Sequence, residues 1–271
     1  MQEKIKMELS NQRKIELSEL AEFISTEYCP QGIIYPEIIA KQARISYNYG
    51  DYGDCFDGLL EKDEKSFHIY LNNKNKLATD NPRIRFSFAH ELGHYFIDEH
   101  RNAMIKGKSL HKSYNQFLRK NIVEVEADFF ASNLLMPKSR FLKSIDNKKF
   151  SADMINTLKT EYNISFTACA IRLMDIDIHP FMIVFAEKGH IKWKYSSADF
   201  PYKWLINDNI VPNDTVMGEY CYQKKTEELY KTVAVCAIDW FNYVKDDEIR
   251  RKFYEYCIAN QDSTLSIIWE D

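Results

Sequence analysis

An α+β chain is predicted, with a mainly helical first part around a small mixed sheet and a smaller α+β region behind it. Three observations lead there. Long segments with apolar residues at helical spacing flank the centre of the first part, a glycine-punctuated stretch before them has strand character, and the pattern changes after His179-Pro180. With 271 residues, 45% of them hydrophobic, the chain can bury one large core or two smaller ones.

The elements follow in order. Residues 1–12 are polar and expected to fray. Ile15, Leu17, Leu20, Phe23 and Ile24 repeat at helical spacing up to Pro30, and Pro36 suits the first turn of a second helix. From Ile45 to Asn72 the chain reads as β, with Gly50, Gly53 and Gly58 as turn or bulge points and Phe67–Asn72 as the clearest strand. Asn81-Pro82 is a helix start, asparagine capping and proline in the first turn, for a helix running to about Asp98. A polar loop is expected next, then a helix from about Gln116 to Met136, stopped by Pro137. Shorter helices are expected at Lys138–Ile145, Ala152–Tyr162 and Phe166–Met174. Beyond a boundary near residue 177, FMIVFAEKGHIKWKY reads as two strands turning at Lys188-Gly189. Helices around Leu229–Tyr243 and Asp247–Ile258 and a last strand, TLSIIWE, complete the expected region 177–271.

Composition excludes several classes. Aromatics at 14% argue against disorder, and a net charge of −4 gives no bulk attraction to nucleic acid. No helix-turn-helix is legible, so direct DNA binding is not expected, and Lys106–Lys112 reads as a solvated basic loop. The charged N-terminus lacks a signal-peptide core and no apolar run spans a bilayer, so a cytoplasmic protein is expected. The six cysteines contain no CxxC pair and read as free thiols, Cys55 as a buried one.

The chemistry is concentrated in His90-Glu91-Leu92-Gly93-His94, an HExxH pattern on an expected helix. Residues i and i+4 share a helical face, so both imidazoles can reach one ion. Glu91 lies roughly 100° around the helix, where it can face a metal-bound water without ligating the metal. The pattern arises by chance in about one such chain in a hundred, so it needs support. Gly93 inside the helix costs about 1 kcal/mol against alanine, which suggests that another backbone packs close there.

A catalytic zinc site takes a third protein ligand. His100 has a known third-ligand spacing, but that pattern needs a glycine where this chain has Ile97. Glu124 in EVEAD competes with it and is favoured. Glu124 and Asp128 are again i and i+4, so Glu124 can ligate while Asp128 accepts the outer N–H of a ligand histidine. Glu126 points away and reads as a solvated or structural carboxylate. His111, His179 and His190 are weighed as oxyanion donors, with an exposed or structural role preferred for each.

These residues resemble the ImmA/IrrE family of bacterial and phage metallo-endopeptidases. GDCFDGLL and FHIYLN, then RIRFSFAHELGHYF, then EVEADFFASNLLMP stand in the family's order over roughly residues 33–140, and the region after His179 resembles an extension of some members. The family often has asparagine where this chain has Asp128, whose charge binds an imidazole N–H more strongly. The resemblance implies a compact zincin-like, gluzincin-type fold for the catalytic domain, which the pattern change near 177 bounds at residues 1–176, with His90, His94 and Glu124 holding one Zn2+ and Glu91 as base. It also implies a site-specific endopeptidase that cuts a helix-turn-helix repressor in stress, phage or mobile-element regulation. The alternative is a non-hydrolytic zinc-binding or antitoxin-type interaction module, and the intact Glu91 favours the enzyme. Two further expectations concern recognition. Phe67, Ile69 and Leu71 are expected on an edge strand that pairs with an extended substrate, and region 177–271 is expected to dock the partner or sense a signal.

Overall fold

A computed structural model describes residues 9–107, 112–113, 121–223, 232–260 and 262–270. The chain divides into two compact units. One comprises the chain up to Lys148 together with Thr157–Ala168, and the other comprises Lys149–Asn156 and everything from Cys169 onward.

In the first unit, α1 (Asn11–Tyr28) starts where the Ser10 side chain accepts from the Arg13 amide, so Asn11 and Gln12 are helical and not frayed. Next come α2 (Pro36–Gln42), opened by its proline, and the strands β1 (Ser46–Gly50), β2 (Gly58–Lys62) and β3 (Phe67–Asn72). In α3 (Pro82–Phe96), Asn81 accepts from the Arg83 amide at 2.9 Å and Pro82 occupies the first turn, as the sequence predicts. Where a polar loop is expected after Asp98, Ile97 turns the chain directly into α4 (Asp98–Ile105). Then follow β4 (Lys112–Ser113) and α5 (Ile122–Leu135). The start of α5 is set by Asn121, which is extended (φ −65°, ψ 151°) and accepts from the Val123 amide. The expected start at Gln116 lies outside the described residues, as do His111 and Leu229–Lys231. The helix α6 (Lys138–Ile145) completes this stretch, and α7 (Ala152–Tyr162) and α8 (Phe166–Ile176) are each divided between the two units; all three match their expected spans closely.

The sheet of this unit runs β1-β3-β2-β4, with β1 parallel and β2 antiparallel to β3, a small mixed sheet as expected. Helix α3 lies against β2 and β3 and packs along α5, which also takes α1. Strand β3 is therefore interior. Ile69 and Leu71 are fully buried, and Phe67 packs edge-on to Tyr95 at 5.1 Å. The expectation that Phe67, Ile69 and Leu71 line a free edge is overturned, because β1 and β2 hold the backbone groups on both sides of β3.

The second unit is built on an antiparallel sheet. The hairpin β5 (Phe181–Glu187) and β6 (His190–Ser196) turns at Lys188-Gly189, where φ of 49° and 75° gives the left-handed pair such a turn needs. After α9 (Val216–Gly218) come β7 (Thr232–Cys236), α10 (Ala237–Trp240), β8 (Lys252–Asn260) and β9 (Ser263–Trp269), in sheet order β6-β5-β9-β8-β7. Two expected helices are corrected here. Residues 232–236 are a strand, in keeping with β-branched Thr232, Val233 and Val235, and the span predicted as a helix from Asp247 to Ile258 contains β8.

Glu255 explains the second correction. It occupies an inward position of β8 between buried Phe253 and Cys257 and so breaks the apolar alternation that marks a strand. Its carboxylate accepts from Trp240 Nε1 (2.8 Å) and from the Val216 and Met217 amides (2.9 Å each), and Ser266 Oγ donates at 2.5 Å. Burial pushes its pKa up, against the pull of these donors. No helix among the described residues is long and apolar enough to cross a membrane.

Candidate metal centre

Two helices build the site. Gly93 of α3 lets α5 approach: a Cβ there would stand 3.3 Å from Ala127 Cα and 3.1 Å from the Phe130 ring, the close backbone contact the sequence predicts. That approach sets the His90–His94 face opposite the Glu124–Asp128 face. His90 and His94 are buried and Glu124 is partly exposed.

The ligand atoms converge. His90 Nε2 lies 3.1 Å from His94 Nε2 and 3.2 Å from Glu124 Oε2, and His94 Nε2 lies 3.5 Å from Glu124 Oε1. With bonds of about 2.0–2.1 Å to a tetrahedral zinc, the edge between two ligand atoms is about 3.3–3.4 Å. The three distances bracket that edge. Among the described residues, His90, His94 and Glu124 are the group whose donor atoms could together hold a metal ion.

Proton positions follow from the outer nitrogens. His90 Nδ1 donates to Asp128 Oδ1 at 2.9 Å, which leaves a lone pair on Nε2, pointing into the ligand group. On the other side, His94 Nδ1 faces His100 Nδ1 at 3.2 Å, and His100 Nε2 faces Glu126 Oε2 at 2.8 Å. Glu126 takes a two-pronged contact from Arg13 of α1, Nε at 2.8 Å and Nη2 at 3.0 Å. Burial holds the His100 pKa below its ordinary value, more strongly than Glu126 raises it. Burial also lifts Glu126, but the hydrogen bonds from Arg13 and His100 outweigh it and hold the carboxyl below the usual range. His100 therefore turns its nitrogens to His94 and Glu126, away from the ligand group, and the competing third-ligand assignment loses its geometry.

Glu91 is fully buried, and its carboxylate lies against Gly58 at the start of β2. A Cβ at Gly58 would stand 2.7 Å from Glu91 Oε1 and 3.0 Å from its Cγ. Gly58 is thus a strand residue that makes room for the carboxylate, where the sequence suggests a turn or bulge. Arg83 on α3 also bonds Asp57 at 2.7 Å, fixing the strand's entry. Sequence reasoning missed Gly58 and Arg13. Their partners lie 33 and 113 positions away in the chain, and no local pattern marks them.

The remaining candidates lie elsewhere. All six cysteines are free, and Cys55 is exposed, not buried as expected. In the second unit the His179 ring packs tilted against Phe150 at 5.3 Å, and His190 is exposed at the start of β6.

Residues 65–174 match a peptidase family model described as an IrrE N-terminal-like domain, which spans both site helices. The expected resemblance is borne out over those residues. No curated protein matches the chain. Among solved structures, a Mycobacterium tuberculosis transcriptional regulator is similar with a TM-score of 0.62 over 94% of this chain and 76% of that one. At 14% identity this is a likeness of fold.

Proposed function

Because the chain carries, over residues 65–174, a domain of the IrrE N-terminal-like peptidase family, we propose that it is a zinc-dependent, site-specific endopeptidase acting on a protein regulator. One observation carries this reading: two imidazoles and a carboxylate meet at zinc-like spacing, and the residue next to His90 in the chain is the buried Glu91. His90, His94 and Glu124 hold the ion, and Asp128 fixes the ring of His90. Zinc held there would polarise a carbonyl and lower the pKa of its water to about 7. Glu91 takes the proton at its carboxylate and passes it to the leaving amine. Its tight seat against Gly58 keeps the carboxylate in one place.

Gly58→Ala tests that seat. The added methyl group displaces the end of Glu91, so zinc content should be unchanged while cleavage falls by up to about 10²-fold, the cost of a misplacement near 1 Å. Equal cleavage by both proteins would show that the seat does not matter.

With β3 interior, the end of β2 nearest Glu91 is taken as well, by Lys112–Ser113 at Leu59 and Gly58. An extended substrate segment would add outside Lys112–Ser113 or take their place, and side-chain pockets would choose the sequence. A linker between the DNA-binding and dimerisation parts of a helix-turn-helix repressor offers such a segment, and residues 177–271 would dock that partner. Support comes from the family likeness and from a fold shared with a protein described as a transcriptional regulator.

The test is to mix the purified protein with helix-turn-helix repressors from its own organism, with and without a zinc chelator, and to map fragments by mass. One chelator-sensitive cut is expected. A stable complex with no cut under any condition would move the assignment to a non-hydrolytic binding module.

A further inference from the structure

The two histidines of the ligand group are braced differently. Behind His90 stands a carboxylate, Asp128, one hydrogen bond away. Behind His94 stands another imidazole, then a carboxylate, then a guanidinium: His100, Glu126 and Arg13. The His100 and Glu126 side chains are only 4% and 13% exposed, so water competes little for these bonds.

The proton count along this chain allows one arrangement if His94 is to ligate through Nε2. Its ring proton then sits on Nδ1 and is donated across the 3.2 Å gap, so His100 Nδ1 accepts. The proton of His100 is then on Nε2, which donates to Glu126 at 2.8 Å. The reverse arrangement, with His100 Nδ1 donating, would put the proton of His94 on Nε2 and block ligation. Arg13 closes the series, and it also reaches Glu99 on α4 at 3.2 Å. Helices α1, α3, α4 and α5 therefore all contribute to orienting one ring.

We propose that His100, Glu126 and Arg13 are positioning residues that fix the tautomer and ring orientation of His94, as Asp128 does for His90. The proposal rests on the zinc reading above and assigns a use to three side chains that neither ligate nor react. Outer partners of this kind typically change metal affinity by about 10- to 100-fold.

The test uses the full chain and reads zinc affinity by competition with a chromogenic chelator, with circular dichroism of the zinc-free proteins as the folding control. His100→Phe keeps a ring and removes both nitrogens, so its dissociation constant should rise about 10- to 100-fold. His100→Gln has an amide oxygen to accept and an amide nitrogen to donate, and should recover part of that loss. Arg13→Met, at a more exposed position, should weaken zinc by a smaller factor. Ring ¹⁵N spectra of the unaltered, zinc-loaded protein need no variant to fold. They should show His94 protonated on Nδ1 and His100 protonated on Nε2. A folded His100→Phe protein with unaltered zinc affinity, or a His100 proton on Nδ1, would overturn this proposal and leave the zinc reading standing. No zinc binding by the unaltered chain would overturn both.

Discussion

Glu91→Gln is expected to leave zinc at about one ion per chain while partner cleavage falls about 10²- to 10⁴-fold. The substitution keeps the size and shape of a fully buried side chain lodged against Gly58, so the fold has little reason to change. What it removes is the ability to accept a proton. Glu91 is not part of the converging ligand group, so metal analysis and cleavage should separate cleanly. Turnover equal to that of the unaltered protein would show that another group is the base.

Glu124→Ala should have the opposite profile, with zinc lost and cleavage lost with it. Glu124 faces both histidine nitrogens, its two oxygens 3.2 and 3.5 Å from them, and among the described residues it is the carboxylate of the converging group. Asp128 points to the outer side of His90, and Glu126 is engaged by His100 and Arg13. The affinity loss should therefore exceed the roughly 10- to 100-fold expected for Asp128→Ala or for the His100 variants. A Glu124→Ala protein that keeps zinc, beside a His100→Ala protein that loses it, would reverse the ligand assignment.

The site was legible to the extent that its chemistry is local. HExxH and EVEAD each place two groups one helical turn apart, and Gly93 within the first announces a close neighbour through its helix cost, so two short stretches point to a two-helix metal centre. Whatever depends on distant approach was not legible. Gly58 matters because β2 runs past Glu91, and Arg13 matters because α1 packs on α5. Neither fact leaves a periodic trace. Ile97 was weighed only as a residue unsuited to a sharp turn, yet it is the joint that starts α4 and swings His100 behind His94. In the second unit the hairpin at Lys188-Gly189 was legible from its turn chemistry. Strand β8 was not, because Glu255 stands where alternation calls for an apolar residue, and its four donors come from segments the sequence does not bring together.

The route of the chain between the two units affects how the protein can be taken apart. Lys149–Asn156 belong to the second unit, yet the next twelve residues, Thr157–Ala168, return to the first. Within the second unit Phe150 packs against Phe181 at 4.6 Å and meets Trp269 at 5.6 Å, and Asn156 donates to the Tyr256 hydroxyl. A fragment that begins at residue 177 would leave those rings uncovered and prone to self-association. A fragment that ends at 148 would lack Tyr162, whose ring packs on Phe141 at 5.2 Å and whose hydroxyl meets Ser144. Neither unit is a contiguous cassette that evolution or an experimenter could move to another protein with a single cut.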